Sequence, residues 1–280
     1  MGIGEVGELL RRSTVHIRSA SRRGQSAGSG VIWDTDGTVI TNAHVAAKGE
    51  HSVELWDGRT VPAELKGRDD QRDLAKLKLP AASVSTISLR ESPVKPGELV
   101  VAVGNPLGFT GALTTGVVHT VGPVSGMGRR RWVQAAIRLA PGNSGGPLAD
   151  ATGRLVGINT MIVSGIALAI PISVVTDFMR NGTGPRLGVT VQPVSFSQRV
   201  GVGLLVLSVA EGSPAEHASL LIGDILVGAN ETPFDSPADL ADSIREAGKG
   251  VLKLRFMRGD HTREREVAIS LMARANSEAA

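Results

Sequence analysis

The chain has no cysteine and no tyrosine, and only three tryptophans and five phenylalanines among its 280 residues. Without cysteine there is no disulfide framework, no thiolate zinc site and no cysteine nucleophile. That suits either a reducing compartment or a bacterial envelope protein that does without disulfides. Scarce aromatics call for aliphatic cores and leave nothing for nucleic-acid bases to stack on. The net charge of +3 is carried by scattered basic residues, apart from Arg129-Arg130-Arg131 and an N-terminal group of Arg11, Arg12, Arg18, Arg22 and Arg23. Nucleic-acid binding is therefore not expected. The six histidines, at 16, 44, 51, 119, 217 and 261, show no paired metal-ligand spacing, so neither a metal nor another cofactor is expected. No stretch approaches membrane-spanning length, and residues 1–20 lack the apolar core and cleavage site of a signal peptide. The expected location is cytoplasmic if Met1 is the native start, and periplasmic or otherwise extracytoplasmic if a leader was removed.

What is present is glycine, at 35 residues, with 14 prolines and many short Val/Ile/Leu runs, a composition that favours a mainly β architecture. The length allows two domains, each with its own core. Residues 8–12 read as a short helix before a strand at 14–17. Asp36-Gly37 between two apolar runs is a hairpin signal. Further strands are expected near 51–56, 61–67 and 73–79, with Ala75, Leu77 and Leu79 inward and Lys76 and Lys78 outward. These complete a first six-stranded barrel. A second set, 99–103, 112–121, 131–138, 147–149, 154–160 and 166–170, forms a second barrel, closed by a helix over 171–180. Gly2-Ile3-Gly4-Glu5-Val6-Gly7 matches a dinucleotide fingerprint, but no strand precedes it, so it is discounted.

Chemistry concentrates in Pro141-Gly142-Asn143-Ser144-Gly145-Gly146-Pro147. A serine hydroxyl is a poor nucleophile unless a base stands beside it and an anion cradle behind it. Glycines permit the tight turn that aims backbone N–H groups at a developing oxyanion. A base and its orienting acid lie upstream, in Thr41-Asn42-Ala43-His44-Val45 and Arg72-Asp73-Leu74-Ala75. The order His44, Asp73, Ser144 is that of chymotrypsin-type hydrolases and differs from the subtilisin and α/β-hydrolase orders. Asp69 and Asp70 are acidic neighbours of Asp73, which is preferred for its Asp-Leu-Ala context. In this reading His44 takes the Ser144 proton, Asp73 holds the imidazole, and the Gly142-Asn143-Ser144 segment forms the oxyanion hole through the Gly142 and Ser144 N–H groups.

With Gly28-Ser29-Gly30-Val31-Ile32, Val103-Gly104-Asn105-Pro106 and Gly157-Ile158-Asn159-Thr160 added to these motifs, the chain resembles the HtrA/Deg family of trypsin-like serine proteases over roughly residues 10 to 272. Lys76 departs from the family, which usually has an apolar residue there. The resemblance implies two six-stranded barrels of the chymotrypsin/trypsin type (1–180), a linker (181–185), a small α+β PDZ domain (186–272) and a tail (273–280). It implies cleavage of unfolded or misfolded polypeptides and a homotrimer. Leu139, Asn159, Thr160 and Met161 would line a small apolar specificity pocket, which Arg138 would alter if it pointed inward. Asn143 stands where digestive relatives carry an acid that pairs with a newly cut N-terminus. A neutral Asn cannot form that pair, so activity is expected to follow the ordering of loops 105–113, 122–131, 139–143 and 161–166 rather than zymogen cleavage. The rival reading is a peptide-binding, chaperone-like protein with an idle protease site.

In the last domain, Arg186-Leu187-Gly188-Val189, Gly212-Ser213-Pro214-Ala215 and Gly223-Asp224-Ile225-Leu226 carry the PDZ resemblance. A peptide C-terminus would add as a strand beside 189–192, its carboxylate on the N–H groups of Leu187, Gly188 and Val189. Leu187, Leu240 and Ile244 would form the pocket for its last side chain, unless they are ordinary core. A helix is expected from about 237, with Ser236 as N-cap and Pro237 at its first position. Strands follow at 251–258 and 263–271.

Overall fold

The computed structural model describes residues 2–21, 24–80, 84–105, 111–182, 184–195, 201–248, 250–259 and 263–271. The expected tail 273–280, His261, Thr183 of the linker, and Pro106 with the rest of 106–110 in the first of the four loops lie outside them. The chain separates into two compact units, Met1–Gly122 with Arg131–Thr183, and Pro123–Arg130 with Gly184–Ala280.

The first unit begins with α1 (Ile3–Ser13), longer than the expected 8–12. Gly2 N–H donates to Glu5 Oε2 at 2.8 Å, and Val6 and Leu10 are buried, so burial and a side chain at the helix start extend the helix through glycines of poor helix propensity. Gly7 has a packing reason, because a Cβ there would lie 2.2 Å from Leu113 Cδ1. The discounted glycine pattern is thus part of a packed helix.

Strands β1 (Thr14–Ser21), β2 (Gly24–Ile32), β3 (Thr38–Thr41), β4 (Glu50–Glu54), β5 (Thr60–Asp69) and β6 (Leu74–Lys78) form a closed barrel in the order β1-β2-β3-β6-β5-β4. The hairpin at Asp36-Gly37 forms, with Gly37 at φ 81° and Asp34 Oδ1 accepting the Thr38 N–H at 2.9 Å. Along β6, Ala75 and Leu77 are buried while Lys76 and Lys78 are half-buried, and Val15, Ile17, Val39, Val53 and Leu77 join one aliphatic core. The second barrel uses β8 (Leu99–Gly104), β9 (Ala112–Gly122), β10 (Trp132–Ala136), β11 (Pro147–Asp150), β12 (Arg154–Val163) and β13 (Ile166–Pro171), and β11–β12 pairing closes the ring. The two-residue β7 (Ser88–Leu89), too short to leave a pattern, pairs parallel to β12. Helix α2 (Ile172–Asn181) follows, burying Val175 and Phe178.

The second unit is a sheet of β14 (Val189–Ser195), β15 (Val202–Val209), β16 (Ile225–Ala229), β18 (Val251–Met257) and β19 (Glu264–Ser270), with β17 (Thr232–Pro233) paired to β16. The short α3 (Pro214–His217) and α4 (Ala238–Ala247) accompany it. Helix α4 starts differently from expectation. Its N-cap is Pro237 and the Ser236 hydroxyl makes no capping bond. Asp239 Oδ2 instead reaches back to accept the Asp235 and Ser236 N–H groups, at 2.7 and 2.9 Å. A carboxylate in the first turn serves the helix dipole as well as the backbone donors, which accounts for the replacement of the serine. Within this unit Arg129 N–H donates to Asp242 Oδ2 at 2.9 Å, tying Pro123–Arg130 to α4.

Candidate active site

The two barrels of the first unit bring His44, Asp73 and Ser144 into one neighbourhood. His44 follows β3, whose four residues are all buried, so the strand is fixed while the ring stays half exposed. Asp73 ends the turn between β5 and β6. Asp69 Oδ1 accepts the Gln71 and Arg72 N–H groups, and Arg72 is buried and ion-paired to Asp177 of α2 at 2.9 Å. Asp70 is exposed and pairs with Arg68 at 2.6 Å. Of the three neighbouring acids, only Asp73 reaches the histidine.

That reach requires an unusual backbone. Asp73 sits at φ 55°, in the left-handed region, which costs a non-glycine residue on the order of 1–3 kcal/mol unless its surroundings hold it there. Asn42 Nδ2 helps by donating to the Asp73 carbonyl at 3.0 Å. The carboxylate accepts His44 Nδ1–H at 2.9 Å, the His44 backbone N–H at 3.1 Å and the Thr160 hydroxyl at 2.6 Å. Burial works against ionisation of Asp73, but the hydrogen bonds from His44 and Thr160 outweigh it and hold its pKa below the ordinary aspartate value. Asp73 is thus an anion that fixes the imidazole with Nδ1 protonated and Nε2 free to accept.

The Ser144 hydroxyl donates to the Thr160 carbonyl at 3.0 Å, and among the described residues it has no hydrogen bond to His44. Gly145 N–H donates to Asn159 O and Asn159 N–H to Gly146 O, lacing the loop to β12. Gly145 lies at φ 84°, and a Cβ there would sit 2.1 Å from Ser29 O, so both conformation and space demand glycine.

The three oxyanion residues divide. Gly142, at φ 104°, and Ser144 have no acceptor for their N–H groups among the described residues. Asn143 does not fit as a donor: its N–H is engaged by Ala140 O at 3.0 Å and its Nδ2 by the same oxygen at 3.1 Å. Its side chain is buried against Gly104, where a Cβ would lie 2.3 Å from Oδ1. Asn143 therefore shapes the loop.

Leu139, Asn159, Thr160 and Met161 all line a cavity of about 180 Å³ beside Ser144, together with Ala140 and Ile162. Met161 and Ile162 are exposed, at 37% and 50%, giving an open apolar wall. Asn159 contributes mainly framework, its Nδ2 bonded to Pro147 O at 2.9 Å. Arg138 is exposed and lies outside the lining. Ala140, Ile162 and the Thr160–Asp73 hydrogen bond were missed by sequence reasoning, because small and apolar residues carry no signature at such positions. Among the described residues no group of three or more His, Cys, Asp or Glu is arranged to hold a metal.

In the second unit, β14 is an edge strand of the sheet, and Gly188 before it has φ 86°. The Leu187 and Gly188 carbonyls accept from Ala215 and Ala210 N–H. Leu187, Leu240 and Ile244 are 2%, 5% and 3% exposed and belong to this unit's hydrophobic core, with Val189 packed against it.

A two-barrel fold with a nucleophile loop in the second barrel defines the trypsin-like peptidases, and comparison agrees. A model of the trypsin-like peptidase domain matches residues 28–158, and a PDZ domain model matches 185–269. The chain is 36% identical over 254 residues to a probable periplasmic serine endoprotease DegP-like of Hahella chejuensis, covering 83% of this chain and 54% of that protein. It is 34% identical over 276 residues to the putative serine protease HhoA of Synechocystis sp., covering 85% and 69%. Among solved structures, the serine endoprotease from Yersinia pestis superposes with a TM-score of 0.69 at 27% identity, over 96% of this chain and 97% of that one. A variant of the HtrA-type protease AlgW with tripeptide gives 0.68 at 25% identity, over 96% of each chain. The chain belongs to the HtrA family. It spans little more than half the length of the DegP-like relative and about two thirds of HhoA.

Proposed function

We propose that the chain is a serine endopeptidase of HtrA type that cleaves unfolded or misfolded polypeptides, with Ser144 as nucleophile, His44 as general base and acid, and Asp73 as the group that orients and stabilises the imidazolium. The observation that carries this reading is the Asp73 carboxylate bonded to His44 Nδ1 at 2.9 Å and to the Thr160 hydroxyl at 2.6 Å, next to a serine whose own N–H and that of Gly142 have no acceptor among the described residues. In the reaction the Ser144 hydroxyl leaves the Thr160 carbonyl and donates to His44 Nε2. Its oxygen attacks the scissile carbonyl, and the Gly142 and Ser144 N–H groups receive the oxyanion. His44 then returns the proton to the leaving amine. Hydrogen bonds of this kind are often completed only when substrate is bound, so the resting serine is compatible with activity. The apolar cavity favours Val, Ala or Leu before the cut bond.

The test is casein digestion and fluorophosphonate labelling of wild type against Ser144→Ala. Wild type should digest and label, while Ser144→Ala should lose on the order of 10⁶-fold in turnover, as in other serine-protease triads. A wild type that neither digests nor labels, even with activating peptides, would instead favour the idle, chaperone-like reading.

The second unit is proposed to take peptide C-termini as an added strand on the β14 edge and to bias the loops around Ser144 when it does. Pro123–Arg130 belongs to that unit and is tied to Asp242, which supports the involvement of loop 122–131. The expected assembly is a homotrimer. Size-exclusion chromatography with light scattering reads it, and a fully active strict monomer would exclude it. Relatives named periplasmic favour an extracytoplasmic location.

A further inference from the structure

Two sequence motifs that the proposed chemistry leaves without a task, those carrying Ser29 and Asn105, meet at one residue, Ser29. It comes from β2 of the first barrel and is fully buried. Its backbone N–H donates to the Ser144 carbonyl at 2.8 Å, and its hydroxyl donates to the Gly142 carbonyl at 2.7 Å. The same hydroxyl oxygen accepts the Asn105 N–H at 2.9 Å, and the Ser29 carbonyl accepts the Thr41 hydroxyl at 2.7 Å. All three polar groups of one residue are therefore engaged, in four hydrogen bonds. Two hold the nucleophile loop on either side of Asn143, one holds the end of β8, and one holds the strand that leads to His44.

We propose that Ser29 is a positioning residue that clamps the nucleophile and oxyanion loop of the second barrel to the histidine-bearing edge of the first. The argument turns on Gly142. At φ 104° it occupies a conformation in which glycine has several others within easy reach, so its peptide units turn readily. Its N–H is the proposed oxyanion donor, and that donor is useful only if it already points at the reacting oxygen before substrate arrives. The Ser29 hydroxyl, itself fixed by Asn105, captures the Gly142 carbonyl and so fixes the 142–143 peptide, which limits the freedom of the adjoining donor. Because the N–H of the same residue holds Ser144 O, donor and nucleophile are set as one piece. The Thr41 bond then references that piece to the strand carrying the base. This inference rests on the peptidase reading above.

Its test uses Ser29→Ala, which removes only the hydroxyl and leaves the backbone bonds, and Ser29→Cys, whose thiol is nearly isosteric but a weak donor. With active sites counted by fluorophosphonate, kcat on a peptide substrate should fall about 10- to 100-fold in Ser29→Ala, the size of effect expected from a small misplacement of reacting groups. KM should change less than about 3-fold, and Ser29→Cys should fall between. Affinity for a peptide aldehyde, whose adduct places an oxyanion in the hole, should drop in parallel with kcat/KM, while affinity for the cleaved product peptide stays the same. A merely structural role would lower thermal stability and leave the aldehyde-to-product affinity ratio unchanged. If wild type is not labelled at all, the peptidase reading fails and the clamp with it. If wild type is labelled and folded Ser29→Ala matches it, only the clamp fails. Should Ser29→Ala not fold, Ser29→Cys decides by the same ratio, and if neither folds the residue is structural and the proposal is wrong.

Discussion

The two candidate binding regions of this chain are built on opposite principles. Around Ser144 the working groups are polar, drawn from separate segments, and held by specific hydrogen bonds at some expense in backbone strain, as at Asp73 with φ 55°. At the peptide face of the second unit the side chains expected to grip a ligand, Leu187, Leu240 and Ile244, share one hydrophobic core with Leu204 and Phe234. The first arrangement separates activity from stability, since a polar group can be altered without opening a cavity. The second merges them, because the residues that would bind also fill the interior.

The largest effect that tests this contrast comes from Asp73→Asn. Asparagine tolerates the left-handed backbone and fills the same space, but it presents an amide to His44 and favours the wrong tautomer. Turnover should fall about 10⁴-fold, measured with a chromogenic peptide, while the melting temperature stays close to that of wild type. A Tm loss of the size produced by a core truncation would show that catalytic polarity and stability are coupled here after all. Leu240→Ala probes the other side. It should cost about 2–5 kcal/mol in the stability of the second unit, followed by denaturant unfolding, and weaken C-terminal peptide binding along with it. A variant with wild-type stability that no longer binds peptide would mark Leu240 as a dedicated pocket residue and break the contrast.

The same difference decides how much of the molecule could be read from its sequence. The neighbourhood of His44, Asp73 and Ser144 was legible because each stands in a short polar motif at a strand end, where chemistry leaves few alternatives. Both barrels were legible because alternation along strands such as β6 survives into burial, with Lys76 and Lys78 on the outer face. Ser29 was visible only as part of a glycine-flanked motif. Its role depends on meeting Gly142 and Asn105, 113 and 76 residues away, and spacing cannot reveal such a meeting. The part Asn143 plays in the oxyanion segment was not legible either, because its position in the motif does not show that Ala140 O holds its N–H. Ser236 looked like a cap because the sequence offers a serine before a proline, while the carboxylate of Asp239 competes better for the same donors. In the second unit, leucines that bind and leucines that merely pack look identical in sequence.

The smallest expected effect concerns two buried histidines in the first barrel, away from the catalytic chemistry. His51 is 6% exposed, with Nδ1 bonded to the Ser19 hydroxyl at 2.9 Å and Nε2 buried without a partner among the described residues. Burial, and then the nearby Arg68 guanidinium, push its pKa below the ordinary histidine value. His16 is lowered as well, by burial first and Arg18 second, against the opposing pull of Glu54. Both rings are thus neutral in the folded barrel at pH values where the unfolded chain already binds the proton. Their contribution to stability is fully present above the unfolded histidine pKa of about 6.5 and diminishes as pH falls below it toward the folded values. The groups around His51 also touch the segment that carries His44. The Ser19 hydroxyl that meets His51 also donates to Val45 O at 2.9 Å, and Arg68 donates to the carbonyls of Ala43 and Ala46 at 2.6 Å, on either side of His44. Thermal melts from pH 7.5 to 5 should therefore show a downward slope in wild type that is shallower in the His16→Gln/His51→Gln double variant. Equal slopes would mean that buried polar groups remote from Ser144 carry no pH cost, and the contrast between polar site and apolar core would then stop at the triad.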